Sequence, residues 1–235
     1  MQTKAENIQV PPIQYAFFDV DGTILKVRSM LMFQDFYHRN ASRVKFFGVL
    51  NAWRNRAWWS YNLLSKRDRH LINKEYYESF RGIPQAKVQE LAQVWYDHEK
   101  GLRPDLFVPS TIRAIKEHQA KGIKVVLVSG SFQEILQPLA REIGAHYCLA
   151  TVLETHDGYY TGKITPPQMI GKGKAEAIRT FLQQVGANSA LCFAYGDHHT
   201  DIPMLEVVGT PVAIKGDPAL EGHAVSKGWE ILSSD

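Results

Sequence analysis

Residues 15–24, which read YAFFDVDGTI, are an apolar run of strand length that ends abruptly at a carboxylate. A second carboxylate, Asp21, follows Asp19 after one intervening residue. Side chains two residues apart on a strand point the same way, so Asp19 and Asp21 are expected to converge where the strand ends. Two carboxylates this close repel each other. The stretch therefore predicts a bound cation or a shared proton at the carboxyl edge of a sheet.

The composition is that of an ordinary globular protein, with 235 residues, 45% apolar residues and 22% charged residues. This length allows one large domain, or one domain with a smaller one inserted into it. The net charge of +3 gives no argument for a nucleic-acid partner. No uninterrupted apolar run of about 18 residues is present, so no membrane-spanning helix is predicted.

The N-terminus and the cysteines both bear on the cellular compartment. Residues 1–9 are polar and lack the apolar region of a signal peptide. Cys148 and Cys192 each lie in an apolar run, so we expect buried free thiols and neither a disulfide nor a thiolate metal site. We therefore expect a reducing, cytoplasmic location.

Strands and helices alternate in the second half of the chain. Apolar runs predict strands at 13–18, 123–128, 146–149, 191–195 and, as the last strand, 211–214, and a hairpin at 151–164 that turns at Asp157-Gly158. Helical patterns lie at 110–121, 132–142, 174–185 and 202–208. The alternation predicts an α/β fold built on a doubly wound, parallel, Rossmann-like sheet.

The segment from residue 27 to about residue 100 has a different residue pattern and contains no clear strand. Apolar residues recur at spacings of three and four over 46–64 and again over 88–95, and 75–80 reads as a further helix. We therefore expect a helical cap domain, residues 26–101, inserted into a core of residues 1–25 and 102–235. It should lie over the carboxyl edge of the sheet.

Polar residues follow the ends of several predicted strands or open a predicted helix. They are Asp19, Asp21, Ser129, Asp197 and Asp201, with Lys172 and Lys174 at a helix start. Because the carboxyl ends of parallel strands meet at one edge, we expect these side chains in one cleft. Carboxylates of this kind suit a hard cation such as Mg²⁺, and a lysine binds phosphate as a point charge. Ser129, with backbone N–H groups at the start of the following helix, can hold phosphate oxygens.

This set of residues is suited to phosphate-ester chemistry. An ionised aspartate attacks phosphorus and gives an acyl-phosphate. A second carboxylate can protonate the leaving oxygen and later activate water. A metal ion and a lysine offset the repulsion between carboxylate and phosphate.

Four motifs resemble, in chain order, those of haloacid-dehalogenase-superfamily phosphatases. They are DVDGT at 19–23, VLVSGS at 126–131, Gly173-Lys174, and Gly196-Asp197 with Asp201. The helical insertion directly after the first motif resembles subfamily IB, which contains phosphoserine phosphatase. The resemblance implies a magnesium-dependent hydrolase of small-molecule phosphomonoesters that works through a phospho-aspartate. A phosphotransferase of the same fold and a non-catalytic binding or scaffold protein are the alternatives.

The resemblance also implies a role for each motif residue. Asp19 is the nucleophile and a metal ligand, and Asp21 is the general acid/base and gives its backbone carbonyl to the metal. Asp197 ligates the metal, and Asp201 does so directly or through water. The implied phosphate-binding residues are Ser129, Gly130, Gly22, Thr23 and Lys174, with Lys172 as the alternative lysine. In the superfamily, dehalogenases lack the second carboxylate and transport ATPases carry Thr there, so Asp21 implies ester hydrolysis.

The residues His198, His199 and Thr200 depart from the phosphoserine enzymes, which commonly have small residues and Asn in that motif. Two readings stay open. Either the histidines are bulky loop residues near the mouth of the site, or they form a transition-metal site with the neighbouring aspartates.

The cap is expected to select the substrate, because the phosphate chemistry below it is generic. The cap residues that we expect to contact the substrate are Arg54, Arg56, Trp58 and Trp59. They either form part of an aromatic and cationic pocket mouth or belong to a helical bundle with a solvated basic face. No clear match exists to the acidic and arginine pair that holds the amino acid in phosphoserine enzymes. Substrate candidates are an amino-alcohol phosphate such as histidinol phosphate or phosphoserine, a sugar or cyclitol phosphate, and a lipid head-group phosphate. Weak peripheral membrane contact stays open, and no oligomeric state is predicted.

Overall fold

The computed structural model describes residues 14–41, 45–64 and 67–235 of the chain. Within these ranges the strands are β1 (Tyr15–Phe18), β2 (Lys124–Phe132), β3 (Tyr147–His156), β4 (Tyr159–Thr165), β5 (Phe193–Gly196), β6 (Thr210–Ile214) and β7 (Glu230–Leu232). The helices are α1 (Ser29–Ala41), α2 (Lys45–Leu64), α3 (Arg69–Glu78), α4 (Gln85–Leu102), α5 (Pro109–Ala120), α6 (Gln133–Glu142), α7 (Lys172–Val185), α8 (Ile202–Leu205) and α9 (Pro218–Lys227).

The strands of the described residues form one sheet in the order β4-β3-β2-β1-β5-β6-β7. All neighbours are parallel except β3 and β4, which form an antiparallel hairpin. The strand order reverses around β1, whose Phe18 lies beside Leu127 of β2 and Tyr195 of β5. Ligands bind at such a switch point, outside the carboxyl ends of the strands. The residues that follow β1, β2 and β5 therefore share one edge.

Strand β1 is buried on both faces because helices cover the sheet on both sides. Its side chains alternate between two apolar clusters, with Phe17 in one and Phe18 in the other. Phe17 packs with residues of α7 such as Ile178 and Phe181. Phe18 stacks on Tyr195, with ring centroids 4.3 Å apart. The two clusters fix the strand from which Asp19 projects.

Helices α1 to α4 follow β1 and pack on the same cluster as Phe18. Phe80, just after α3, meets Phe132 at the end of β2 with ring centroids 5.0 Å apart. The turn between α3 and α4 is also bonded to the β3–β4 hairpin through its backbone. The Gly82 N–H donates to Tyr160 O (2.8 Å), and the Tyr160 N–H donates to Ile83 O (3.0 Å). The Gln85 N–H donates to the carbonyl of Gly158 (2.9 Å). The helical insertion and the sheet thus share one interior.

The predicted α/β fold, with a mostly parallel sheet and a helical insertion after the first strand, is confirmed. The hairpin turns at Asp157 and Gly158 as predicted, with positive φ at both residues. The boundaries of a separate cap domain at 26 and 101 stay a prediction. In the part of the chain that the structure describes, no helix has both the length and the apolar character needed to cross a membrane.

Several predicted elements were incomplete or misplaced. Strand β2 continues past residue 128 to Phe132, and the runs at 146–149 and in the first arm of the hairpin are one strand, β3. Residue 191 belongs to a 3₁₀ turn before β5, and β6 is not the last strand, since α9 and β7 follow it. Helix α1 was not predicted. Cys192 is buried, whereas Cys148 is only partly buried.

Candidate active site

Three carboxylates and a lysine meet at the carboxyl edge of the sheet. Asp19 follows β1, Asp197 follows β5, and Asp201 ends the 3₁₀ turn that comes next; oxygen atoms of the three lie within 4.8 Å of one another. Lys174, in the first turn of α7, donates from Nζ to Asp19 Oδ1 (2.5 Å) and to Asp201 Oδ1 (2.7 Å). Lys172 is exposed and does not line this cavity. The structure therefore brings Lys174, and not Lys172, to the carboxylates.

The charges at this site are only partly balanced. Burial raises the pKa of Asp19 well above its usual range; Lys174 opposes this shift, and the charges of Asp201 and Asp197 add to it. Burial and the charge of Asp201 also raise the pKa of Asp197. Burial lowers the pKa of Lys174, but Asp19 and Asp201 outweigh burial and raise it above its usual range. Excess negative charge on oxygen donors fits a hard divalent cation.

Asp21 lies beside this cluster and also contacts the first helix of the cap. Its Oδ2 accepts a hydrogen bond from the backbone N–H of Ser29 (3.0 Å), at the start of α1. Its Oδ1 is buried and has no hydrogen-bond partner among the described residues. Burial raises the pKa of Asp21 to about 7; the charge of Asp19 adds to the shift and the bond from Ser29 opposes it. A carboxyl group that titrates near neutral pH suits general acid and base catalysis.

Gly22 and Thr23, both predicted to bind phosphate, instead contact Asp197. Thr23 is fully buried, and its Oγ1 donates to Asp197 Oδ1 (3.0 Å). Gly22 has a φ of +90°, and a Cβ at this position would collide with the carboxylate of Asp197. Neither residue lines the cavity. The structure places both residues against a carboxylate of the site, because the loop after β1 folds against β5. Their role in phosphate binding stays a prediction.

The Ser129-Gly130-Ser131 segment of β2 forms another wall of the site. Ser129 is buried, and its Oγ accepts a hydrogen bond from the Ser131 N–H (3.1 Å). The carbonyl of Gly130 accepts hydrogen bonds from the Tyr77 hydroxyl (2.7 Å) and from Thr151 Oγ1 (3.0 Å). Because Tyr77 belongs to α3, the cap helps to fix this segment.

The motif order and this geometry agree with a match to a known family. The family model described as haloacid dehalogenase-like hydrolase matches residues 16–206, which include every carboxylate of the site. The chain belongs to the haloacid dehalogenase-like hydrolases.

Curated relatives of this hydrolase include named phosphatases. It is 31% identical to phosphoserine phosphatase SerB1 of Mycobacterium tuberculosis, over 94% of this chain and 72% of the relative. It is 32% identical to the probable phosphatase Rv3661 of the same organism, over 93% of this chain and 74% of the relative. The histidinol-phosphatase of Neisseria meningitidis is 30% identical over 51% of this chain and 55% of the relative. At the level of enzyme class, the prediction of a phosphatase is confirmed, while subfamily IB stays a prediction.

Solved structures show the same fold as this hydrolase. A protein of unknown function from Bordetella pertussis aligns with a TM-score of 0.81 and 23% identity, over 95% of this chain and 100% of that chain. A substrate-bound phosphoserine phosphatase aligns with a TM-score of 0.63 and 18% identity, over 95% of this chain and 93% of that chain. At these identities the likeness concerns the fold alone.

The two adjacent histidines of this hydrolase lie beside Asp217. His199 Nδ1 lies 2.7 Å from Asp217 Oδ2, and His198 Nε2 lies 3.7 Å from the same oxygen. His198 also lines the cavity. Ligand atoms of His198, His199 and Asp217 lie within 4.8 Å of one another, so these three residues could hold a metal ion. Both readings of the histidine pair stay predictions.

The cap closes over a cavity of about 170 Å³. Its cap wall consists of Arg28, Met30, Leu31, Trp59, Asn62, Ile72 and Asn73. Of the four predicted cap residues, only Trp59 lines the cavity. Arg56 instead forms a bidentate pair with Asp35 (2.8 and 2.9 Å), and Arg54 and Trp58 line a separate groove.

The apolar stripe predicted for α2 does not mark its buried face: Trp53, Ala57 and Tyr61 of that stripe are exposed, whereas Asn55, Trp59 and Asn62 are buried. Arg28 lines the cavity although the sequence did not predict it as a site residue. The one signal in the sequence that could have found it is its place just before the first cap helix.

Proposed function

We propose that this haloacid dehalogenase-like phosphatase hydrolyses a small-molecule phosphomonoester, with Mg²⁺, through a phospho-aspartate on Asp19. The observation that carries the proposal is the convergence of Asp19, Asp197 and Asp201 around Lys174. The pKa of Asp21, raised to about 7, supports a separate acid and base role beside them. The cavity volume of about 170 Å³ favours a short leaving group.

In the first step, an oxygen of Asp19 attacks phosphorus, the bond to the ester oxygen breaks, and Asp21 gives its proton to that oxygen. In the second step, Asp21 takes a proton from water, the water oxygen attacks phosphorus, and the Asp19–phosphorus bond breaks. Inorganic phosphate leaves, and Asp19 and Asp21 return to their initial states. The titration of Asp21 near neutral pH allows it to serve in both steps.

The metal site would be formed by carboxylate oxygens of Asp19 and Asp197, with Asp201 as a direct or water-mediated ligand and the Asp21 carbonyl as a further donor. Such a set suits Mg²⁺, which prefers oxygen ligands and keeps several waters. When bound, the ion supplies positive charge that offsets the repulsion between carboxylates and phosphate.

The phosphate would be held by Lys174 and by the Ser129-Gly130 segment. An ammonium group has three N–H donors, and two of those of Lys174 are used by Asp19 and Asp201. The third is left for a phosphate oxygen. The Ser129 hydroxyl accepts from Ser131 and retains its own proton to donate.

The first test is hydrolysis of p-nitrophenyl phosphate in the presence of Mg²⁺. We expect wild type to turn over and Asp19→Asn to lose at least about 10³-fold in kcat, because an amide is not a usable nucleophile. Hydroxylamine should trap an acyl-phosphate from wild type and none from Asp19→Asn. The exposed Asp105→Asn serves as the matched control and should behave as wild type. Failure of wild type on a broad panel of phosphate esters, or full activity of Asp19→Asn, would contradict the proposal.

A further inference from the structure

One cation on the cavity wall has no part in the chemistry described above. Arg28 is exposed and lines the cavity at the start of the cap. Among the described residues, no carboxylate forms an ion pair with it. The other cation of the wall, Lys174, is held by Asp19 and Asp201. An arginine left without a carboxylate at a ligand cavity is available to an anionic group of the ligand.

The position of Arg28 relates it to the leaving group. Its neighbour Ser29 donates its backbone N–H to Asp21 Oδ2 at 3.0 Å. Arg28 is therefore one peptide bond from the atom that contacts the general acid. In the proposed reaction Asp21 faces the ester oxygen that leaves, so Arg28 lies beside the leaving alcohol, whereas Lys174 lies beside the transferred phosphate.

The remainder of the cap wall carries no negative charge. Met30, Leu31, Trp59 and Ile72 are apolar, Asn62 and Asn73 are uncharged amides, and the carboxylates that line the cavity are those of the aspartate cluster and Asp21. An ammonium group on the leaving alcohol would face the positive charge of Arg28 with no carboxylate of the cap wall to offset it, which is unfavourable. A carboxylate or phosphate there would accept two parallel hydrogen bonds from the guanidinium of Arg28.

We infer that Arg28 is a specificity-determining residue, which selects phosphomonoesters whose leaving alcohol carries an anionic group close to the ester oxygen. The inference rests on the proposed function and deepens it by naming a substrate class. Esters whose leaving group carries an ammonium are disfavoured, and uncharged esters fall between the two.

The test compares four two-carbon esters that differ in the charge on the leaving group. They are 2-phosphoglycolate, ethylene glycol bisphosphate, ethyl phosphate and phosphoethanolamine. We expect wild type to favour at least one of the two anionic esters over phosphoethanolamine by about tenfold or more in kcat/KM. The ratio between 2-phosphoglycolate and ethylene glycol bisphosphate then tells whether a carboxylate or a second phosphate is preferred.

Substitution of Arg28 should change the ranking. In Arg28→Ala the ratio of kcat/KM for the preferred anionic ester to that for ethyl phosphate should fall about tenfold. In Arg28→Glu, phosphoethanolamine should overtake the anionic esters. Arg179→Glu, an equal charge change at an exposed position of α7 outside the cavity, should keep the wild-type ranking.

The outcomes separate this inference from the proposed function. If wild type hydrolyses none of the esters and no p-nitrophenyl phosphate, both the proposed function and this inference are contradicted. If wild type hydrolyses them without a ranking by charge, or if Arg28→Ala lowers kcat/KM equally for all four, the inference alone is overturned. An equal loss would show that Arg28 acts through the general charge of the site.

Discussion

The side chain of Thr23 has one hydrogen-bond partner among the described residues, and that partner is a carboxylate of the site. The hydroxyl is fully buried and donates to Asp197 Oδ1, while Gly22 leaves the space that the same carboxylate occupies. Donors that orient a metal-binding carboxylate contribute strongly to metal affinity although they do not touch the metal. Thr23 is thus expected to act on the proposed metal site through Asp197.

We predict that Thr23→Val weakens Mg²⁺ binding by about tenfold, because Asp197 loses the hydroxyl that orients it. Isothermal calorimetry on the two proteins measures this directly. The matched control is Thr111→Val in α5, since Thr111 is equally buried and its hydroxyl has no partner among the described residues. Its Mg²⁺ affinity should equal that of wild type. An equal weakening in both variants would show that any buried Thr to Val change has this effect.

At the scale of single residues, the sequence predicted which charged side chains meet at the edge of the sheet. Asp19, Asp197, Asp201 and Lys174 converge as expected, because strand ends of a parallel sheet must share an edge. The contact between Thr23 and Asp197 joins positions 174 residues apart, so no local pattern reveals it. The sequence also could not show that Arg28 forms no ion pair with a described carboxylate, because this depends on which carboxylates the fold brings near it.

At the scale of elements, α5 contributes a buried histidine to the core of the sheet. His118 Nε2 lies 2.8 Å from the Tyr195 hydroxyl, and its Nδ1 is buried without a partner among the described residues. Burial lowers the pKa of His118, Lys121 lowers it further, and Glu117 opposes the shift. The folded protein therefore favours the neutral imidazole of His118 more than the unfolded chain does.

This shift predicts a dependence of stability on pH. The folded pKa lies below the unfolded value of about 6.5, so the unfolded chain binds the proton more readily as the pH falls through that value. His118 should then contribute its full stabilisation of the folded state above about pH 6.5 and progressively less below it. We predict a shallower loss of unfolding free energy between pH 7 and 5 in His118→Gln, measured by urea denaturation. The exposed His156→Gln should keep the wild-type slope.

The elements that the sequence missed lack strong local signals. Strand β7 has three residues and no fully buried side chain, so it shows no apolar run. In β2 the polar residues after Val128 read as the end of a strand, yet the pairing with β3 continues to Phe132 across an irregularity. That continuation depends on a partner strand some twenty residues away and not on the residues of β2 themselves.

At the scale of the whole molecule, the helical insertion and the sheet have a common interior. Phe80 of the insertion packs against Phe132 and Tyr160 of the core, within one apolar cluster. Alternation of strands and helices predicted the insertion, because it leaves a strandless interval in the sequence. The alternation did not predict the bridge between Pro84 and Tyr159, because it joins the α3–α4 turn to the start of β4, which is distant in the chain.

We predict that the protein unfolds in a single transition, because the insertion and the core share this cluster. Tryptophan fluorescence, which is dominated by Trp53, Trp58, Trp59 and Trp95 of the insertion, should coincide with far-ultraviolet circular dichroism of the whole chain. Phe80→Ala should lower the unfolding free energy by about 3–5 kcal/mol in both signals. The exposed Tyr61→Ala should change it by less than about 0.5 kcal/mol. Two separate transitions would contradict the prediction.

The backbone bonds between the α3–α4 turn and the hairpin bear on how such a protein can be recombined. Removing the insertion alone would leave the N–H of Tyr160 and the carbonyl of Gly158 without their partners and would uncover the rings of Phe132 and Tyr160. The unit that can be exchanged without loss of these contacts is therefore larger than the inserted helices. A graft of the insertion from one such enzyme to another has to move the helices and the β3–β4 hairpin together.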